Sequence, residues 1–233
     1  MINEAKSLYN AGSYDELMHW AFTYDSSSSS KEQLKSVAEA YELLIDKGYG
    51  VAANNLGSMY YCGRYFEINV AKAIRYYQTA MEMGEVLAWP NLGCCYYYDL
   101  KDYRKAYDVF SEGAFLFNDP ECLYMLGDMY RYGKYVKASE DRAFHLYRRA
   151  TDSVDMNDSR HRVCLGSAYC RLGDFLIAGN REKDIEEGIK ALYVGLGHLY
   201  EGINENQFVR KDIEKYRTLL RETEMLAESE YKG

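Results

Sequence analysis

The sequence predicts an all-α fold, about five helix pairs in series with a capping helix at each end. Two observations predict it. The first is a recurring anchor set: Ala53, Leu56-Gly57, Tyr60, Gly63 returns as Trp89, Leu92-Gly93, Tyr96, and again as Leu123, Leu126-Gly127, Tyr130, Gly133. A fourth copy is Leu165-Gly166, Tyr169, with Gly173 one place late, and a degenerate copy lies upstream at Leu17, Trp20-Ala21, Tyr24. The anchor steps from 20 to 56, 92, 126 and 165, intervals of 36, 36, 34 and 39 residues. A period near that value marks stacked helical hairpins. The second observation is composition: the 233 residues include only 2 prolines. Alternating Val/Ile runs are few, so no sheet is expected.

The anchor spacing has a physical reason. On a helix of 3.6 residues per turn, Ala53, Leu56 and Tyr60 share one face, and Gly57 borders it. Glycine inside a helix costs ~1 kcal/mol against alanine. Its return at the same place implies a neighbouring helix too close for any side chain.

In chain order, residues 1–12 read as an N-terminal helix ended by Gly12, with Ala5, Leu8 and Tyr9 on its apolar side. Repeat 1 spans 13–48. Ser13 is its expected N-cap, with Glu16 three residues on. Ser26 to Ser30 reads as a solvated connection, with a modification site as the other reading. Ser30 and Gln33 form a capping-box pattern that opens a helix from about Lys31 to Lys47, closed by Gly48. Its inward residues Val37, Ala40, Tyr41 and Leu44 are spaced 0, 3, 4, 7.

That spacing recurs in repeats 2 (49–84), 3 (85–118), 4 (119–155) and 5 (156–202). It reads Ala73, Tyr76, Tyr77, Ala80; then Ala106, Val109, Phe110, Gly113; then Ala143, Leu146, Tyr147, Ala150; then Gly188, Ala191, Leu192, Gly195. Four residues before each set stands Asn69, Asp102, Ser139 or Asp184, each an expected N-cap whose side chain can satisfy free helix amides. Departures cluster late. Asp99 replaces one glycine, Gly113 replaces an alanine, and Arg162 stands where an apolar anchor belongs. Leu172 to Lys183 reads as a long linker, with an extra turn beginning at Gly173-Asp174-Phe175. Residues 203–233 hold a C-terminal capping helix over 206–229, with Ile213, Tyr216, Leu219, Leu220 and Leu226 on one side. A partner-binding or subunit-binding amphipathic helix is its alternative.

With these residues in phase, the chain resembles the Sel-1-like repeat family, a branch of the tetratricopeptide-like helical repeats. The matching signature is Ala53, Leu56-Gly57, Tyr60, Gly63, Asn69, Lys72-Ala73, Tyr76-Tyr77, Ala80, and its second part repeats at Asp102, Lys105-Ala106 and Ser139, Arg142-Ala143. The resemblance covers about residues 13–201. It implies a right-handed superhelix of antiparallel helix pairs and a role as a protein-interaction adaptor.

On each first helix, the side opposite the core face carries Asn55, Ser58 and Cys62; Asn91, Cys94 and Tyr98; Met125, Asp128 and Tyr132; Cys164, Ser167 and Arg171. Tyr61, Tyr97 and Arg131 flank it. In the family these places line the inner, concave wall. The expected partner-binding residues are therefore Asn55, Ser58, Tyr61, Asn91, Tyr97, Tyr98, Asp128, Arg131, Tyr132 and Arg171. Tyrosine and arginine are enriched at interface hot spots. Tyr97 and Tyr98 have packing between adjacent repeats as their alternative role.

Net charge is −8, which argues against a general nucleic-acid binder. No apolar run reaches the ~20 residues of a membrane span. The start lacks the order of a signal peptide. The six cysteines, Cys62, Cys94, Cys95, Cys122, Cys164 and Cys170, form no CxxC pair and read as reduced thiols in a cytoplasm. His19, His145, His161 and His198 stand in no catalytic or metal motif. The expectation is a non-enzymatic scaffold, without metal or cofactor, that binds a peptide or protein segment. Self-assembly is a compatible alternative, and a small-ligand-binding or hydrolytic role is the other.

Overall fold

The computed structural model describes residues 2–26, 28–153, 161–179, 182–201 and 209–230. Among them are twelve α-helices and no strand: α1 (Ile2–Asn10), α2 (Tyr14–Tyr24), α3 (Lys31–Ile45), α4 (Gly50–Cys62), α5 (Val70–Glu82), α6 (Ala88–Cys94), α7 (Tyr103–Phe117), α8 (Pro120–Tyr132), α9 (Glu140–Asp152), α10 (His161–Ala178), α11 (Glu182–Glu201) and α12 (Val209–Glu230). A five-residue π-type turn, Cys95–Asp99, continues α6. Within the described residues, no helix is long and apolar enough to cross a membrane. The chain divides into two compact units, Met1–Val109 and Phe110–Gly233, and α7 runs across the division.

In the first unit, α2 pairs with α3 and α4 with α5. The anchors do what their spacing requires: Leu17, Ala21, Val37, Tyr41, Leu44, Ala53, Leu56, Ala73, Tyr77 and Ala80 are all buried. Burying each leucine contributes roughly 1.5–3 kcal/mol. Gly57 lies under the Tyr77 ring; a Cβ there would stand 2.8 Å from Cε1. Ala53, Ala80 and Ala88 meet in one small cluster, which lets α4, α5 and α6 approach together.

Helix starts follow the caps. Ser30 and Gln33 complete a reciprocal capping box, and Asn69, Asp102 and Ser139 each accept from the amide three residues on. Asp119 caps α8 in the same way, ahead of Pro120. Two expected caps differ. Ser13 occupies the N-cap place of α2 without a side-chain bond. Asp184 lies inside α11, which begins at Glu182.

In the second unit, α8 pairs with α9 and α10 with α11. Gly127 lies under the Tyr147 ring, with a built Cβ only 2.6 Å from Cε1. The last pair corrects the expected linker. Leu172 to Ala178 continues α10, because Leu172 and Leu176 are buried and Gly173 packs against α11. Both helices lengthen, to 18 and 20 residues against 13 in α8 and 13 in α9. A Cβ on Gly173 would meet Gly188 O at 2.8 Å, and one on Gly195 would meet Gly166 O at 2.9 Å. Main chain therefore lies against main chain at both ends of this pair. Gly173 is not a helix end but a second contact glycine.

Helix α12 places Ile213, Tyr216 and Leu220 on Cys170, Leu192, Leu196 and Leu199. It thus lies on both α10 and α11. The expected helix start at 206–208 and the side chain of Arg162 lie outside the described residues.

Candidate functional site

From α4 onward, each hairpin has a first helix that carries the leucine–glycine anchor, and these helices with the turn that continues α6 hold the expected binding residues. In the first unit, Asn55 Nδ2 donates to Tyr41 Oη at 3.3 Å, and that phenol donates to Asp25 Oδ2 at 3.2 Å. Arg64 grips the same carboxylate with two nitrogens, at 3.0 and 3.3 Å, and donates to Ser58 Oγ at 3.4 Å. The Asp25 side chain is only 7% exposed. Burial raises its pKa, opposed by the Arg64 charge and the Tyr41 hydrogen bond. Asn55 and Ser58 thus belong to one neutral network around a paired charge.

Lateral contacts join α4 to α6. Asn91 Nδ2 donates to Asn54 Oδ1 at 2.8 Å. Tyr61 is half-buried, and burial together with its hydrogen-bonded neighbour Asp99 keeps the phenol neutral. The π-type turn brings Tyr97 edge-on to Tyr98 and to Tyr103, with ring centroids 4.8 and 5.2 Å apart. Tyr98 stays 45% exposed. The wide turn compensates for a shortened loop. The main-chain bond that closes the hairpin spans Tyr60 to Asn69 in repeat 2 and Tyr130 to Ser139 in repeat 4, but Tyr96 to Asp102 in repeat 3.

In the second unit the lateral contacts are ionic. Arg171 Nε donates to Asp128 Oδ2 at 2.8 Å. Tyr147 Oη donates to the other oxygen of Asp128 at 2.8 Å. Arg131 Nη1 donates to Asp174 Oδ2 at 3.2 Å, and Lys215 of α12 approaches the same oxygen at 3.5 Å. The Asp128 and Arg171 side chains are 12% and 14% exposed. The Arg171 guanidinium lies 4.3 Å from the Tyr124 ring centre, and Arg131 lies 5.4 Å from that of Tyr132. Tyr132 itself is 54% exposed.

The ten expected residues therefore divide. Tyr98 and Tyr132 stand out in solvent. Asn55, Ser58, Asp128, Arg131 and Arg171 are bonded to other side chains of their own unit. Tyr61 and Asn91 are half-buried at the contact of α4 with the segment beginning at α6, and Tyr97 is half-buried against Tyr98 and Tyr103. Sequence reasoning missed Asn54, Asp25, Arg64 and Asp174. A signal existed for the last: Asp-x-x-Arg at 128–131 is answered by Arg-x-x-Asp at 171–174, each pair 43 residues apart.

Catalytic groups gain little support from this arrangement. Burial pushes the Cys95 and Cys170 thiols up to about 12, far from nucleophilic thiolates at neutral pH. Among the described residues, no group of His, Cys, Asp and Glu is placed to hold a metal ion.

Serial hairpins, three of them with a glycine contact inside, define a helical-repeat protein. The family model of the Sel1 repeat matches residues 50–85, 91–108, 120–155 and 166–190, and the chain belongs to the Sel1-repeat proteins. A Sel1 repeat protein from Oxalobacter formigenes has a similar solved structure, at TM-score 0.57 and 20% identity, over 95% of this chain and 99% of that one. So does c5321, described as a protective antigen present in uropathogenic Escherichia coli strains displaying an SLR fold, at TM-score 0.50 and 20% identity. That likeness covers 84% of this chain but only 42% of the other. At such identities the likenesses show the fold alone. No curated protein matches the chain in sequence.

Proposed function

We propose that this protein is a non-enzymatic scaffold that binds a peptide or protein segment along the outward faces of its first helices. One observation carries the reading: each unit presents an exposed tyrosine at the end of a first helix, Tyr98 or Tyr132, and Tyr132 stands beside Arg131, whose charge is already paired with Asp174. A large aromatic with a polar tip, next to prepaid electrostatics, suits contact with another chain. The buried, unreactive thiols at Cys95 and Cys170 favour a scaffold over a cysteine enzyme. Six free cysteines fit a reducing compartment, so a cytoplasmic setting is part of the reading. Affinity purification tests it. Wild type should recover a partner that Tyr98→Ala plus Tyr132→Ala loses, and equal recovery would overturn it.

Self-association is the second reading. It is favoured by Tyr193, Val194 and Tyr200 on α11 and Met225 on α12, exposed at 57%, 44%, 45% and 63%. It requires a mass that rises with concentration in light scattering; a constant monomer mass excludes it.

A further inference from the structure

Helix α11 carries the leucine–glycine–tyrosine pattern of a first helix, at Leu196-Gly197 and Tyr200, although it is the second helix of the last hairpin. Its leucine is used: Leu196 is buried against α12. Its glycine is not. Glycine inside a helix is destabilising, and elsewhere in the molecule close contact offsets the loss. A Cβ on Gly57, Gly127, Gly166, Gly173, Gly188 or Gly195 would meet another atom within 3.0 Å. Among the described residues, nothing lies within 4 Å of one on Gly197. The open glycine stands between Tyr193 and Tyr200, which with Val194 are exposed. The Tyr193 hydroxyl donates to Glu224 of α12, which sets the ring before any partner arrives.

The hairpins show what such a seat takes. A tyrosine ring covers Gly57 and Gly127, and a cation lies over the anchor tyrosine one turn on. Lys72 Nζ is 4.8 Å from the Tyr60 ring centre, and the Arg142 guanidinium is 5.2 Å from that of Tyr130. Both groups exist on α11 itself, as Tyr193 and Lys190, on the same face as Gly197. We propose that α11 pairs antiparallel with α11 of a second copy of this chain, across a two-fold axis level with Gly195. Each Tyr193 then covers the partner's Gly197, and each Lys190 lies against the partner's Tyr200. This rests on the self-association reading above and names its surface. A face that holds both the seat and the group that fills it is self-complementary, so the pairing closes as an isologous dimer. Charge agrees with it. The Lys190 ammonium meets an aromatic ring, whose face attracts a cation. Glu186 balances Lys190 in an exposed pair that holds it weakly, so the two faces bring no net charge together.

Light scattering on the full chain reads the association. The wild-type mass should rise with concentration from monomer to dimer and stop there. Gly197→Gln should raise the dimer dissociation constant at least tenfold. Its melting temperature as a dilute monomer should stay at or above that of wild type, because glutamine is the better helix former and enters open space. A charge exchange reads the register. Lys190→Glu and Tyr200→Arg should each weaken association about tenfold, and the double variant should restore it. The two positions lie about 15 Å apart along one helix, so only pairing between copies explains a rescue. A monomer at every concentration overturns this dimer and the self-association reading together. Growth beyond a dimer, association undiminished by Gly197→Gln, or no rescue in the double variant overturns the α11 pairing and leaves self-association standing. The charge exchange decides the matter even where Gly197→Gln fails to fold.

Discussion

Two sets of neighbouring first helices, one in each unit, are built on the same template and joined by different chemistry. Between α4 and α6 the contacts are an amide pair, Asn54 with Asn91, and a phenol with a carboxylate, Tyr61 with Asp99. Between α8 and α10 they are two ion pairs of opposite sense, Asp128 with Arg171 and Arg131 with Asp174, and Lys215 extends the second pair to α12. Inside the hairpins the two units agree: glycine lies beneath a tyrosine ring at Gly57 and Tyr77, and at Gly127 and Tyr147. The lesson is that close packing within a hairpin fixes residue types, whereas the lateral seam needs only complementary partners. A crossed pair of charges also specifies register, since a slip of one helix past the other places like charges together.

The largest expected effect falls on the ionic seam and is set against the matching repeat position in the first unit. Asp128→Ala leaves Arg171 without its carboxylate and Tyr147 without its acceptor. Breaking a pair this buried should cost about 3–5 kcal/mol. Ser58→Ala, at the matching place, loses only a 3.4 Å contact with Arg64 and should cost about 0.5–1 kcal/mol. Denaturant titration of both variants checks the difference; equal costs would mean that the ionic seam has no special weight.

Next come the hairpin interiors. Gly57→Ala meets a tyrosine ring that can tilt, whereas Gly173→Ala meets the main-chain oxygen of Gly188. Overpacking costs typically 1–3 kcal/mol. Gly173→Ala should fall at or above the top of that range and Gly57→Ala near the bottom, read from melting curves. The reverse order would show that α10 and α11 separate easily.

Smaller effects probe the seam's exposed end and the loops. Lys215 is 55% exposed, so Lys215→Ala should cost less than ~1 kcal/mol, and the loss should shrink in high salt. Tyr65 and Tyr135 occupy equivalent hairpin loops with φ of 66° each, a conformation costly for residues with a Cβ. Tyr135→Gly should therefore stabilise the protein by about 0.5–1 kcal/mol. A drop in melting temperature would instead show that the exposed Tyr135 ring makes a contact worth more than the strain.

Much of this was legible in the sequence where geometry is local. The 0, 3, 4, 7 sets gave the faces of the second helices, and Ser30, Asn69, Asp102 and Ser139 marked four helix starts correctly. Legibility failed where a helix is decided by what lies opposite it. Leu172 to Ala178 carries two glycine-bordered turns that look like a loop, yet Gly188 and Leu192 across the hairpin keep them helical. The π-type turn at Cys95–Asp99 was equally hidden, because it answers a shortened loop rather than any residue preference. Of the expected binding residues, Tyr98 and Tyr132 could be read as exposed from their helical phase. The engagement of Asn55, Asp128 and Arg171 could not, since each partner lies on another helix, and that of Ser58 depends on how the loop after α4 folds back.

By itself the sequence determined the class of fold, because a recurring face of small and large residues can be buried only by a neighbouring copy of the same unit. It also determined most helix starts, where one side chain satisfies amides three residues away. Only the tertiary structure decided which polar side chains bond within the protein and which remain for another molecule. That choice depends on distances between helices far apart in the chain, and no local spacing encodes them.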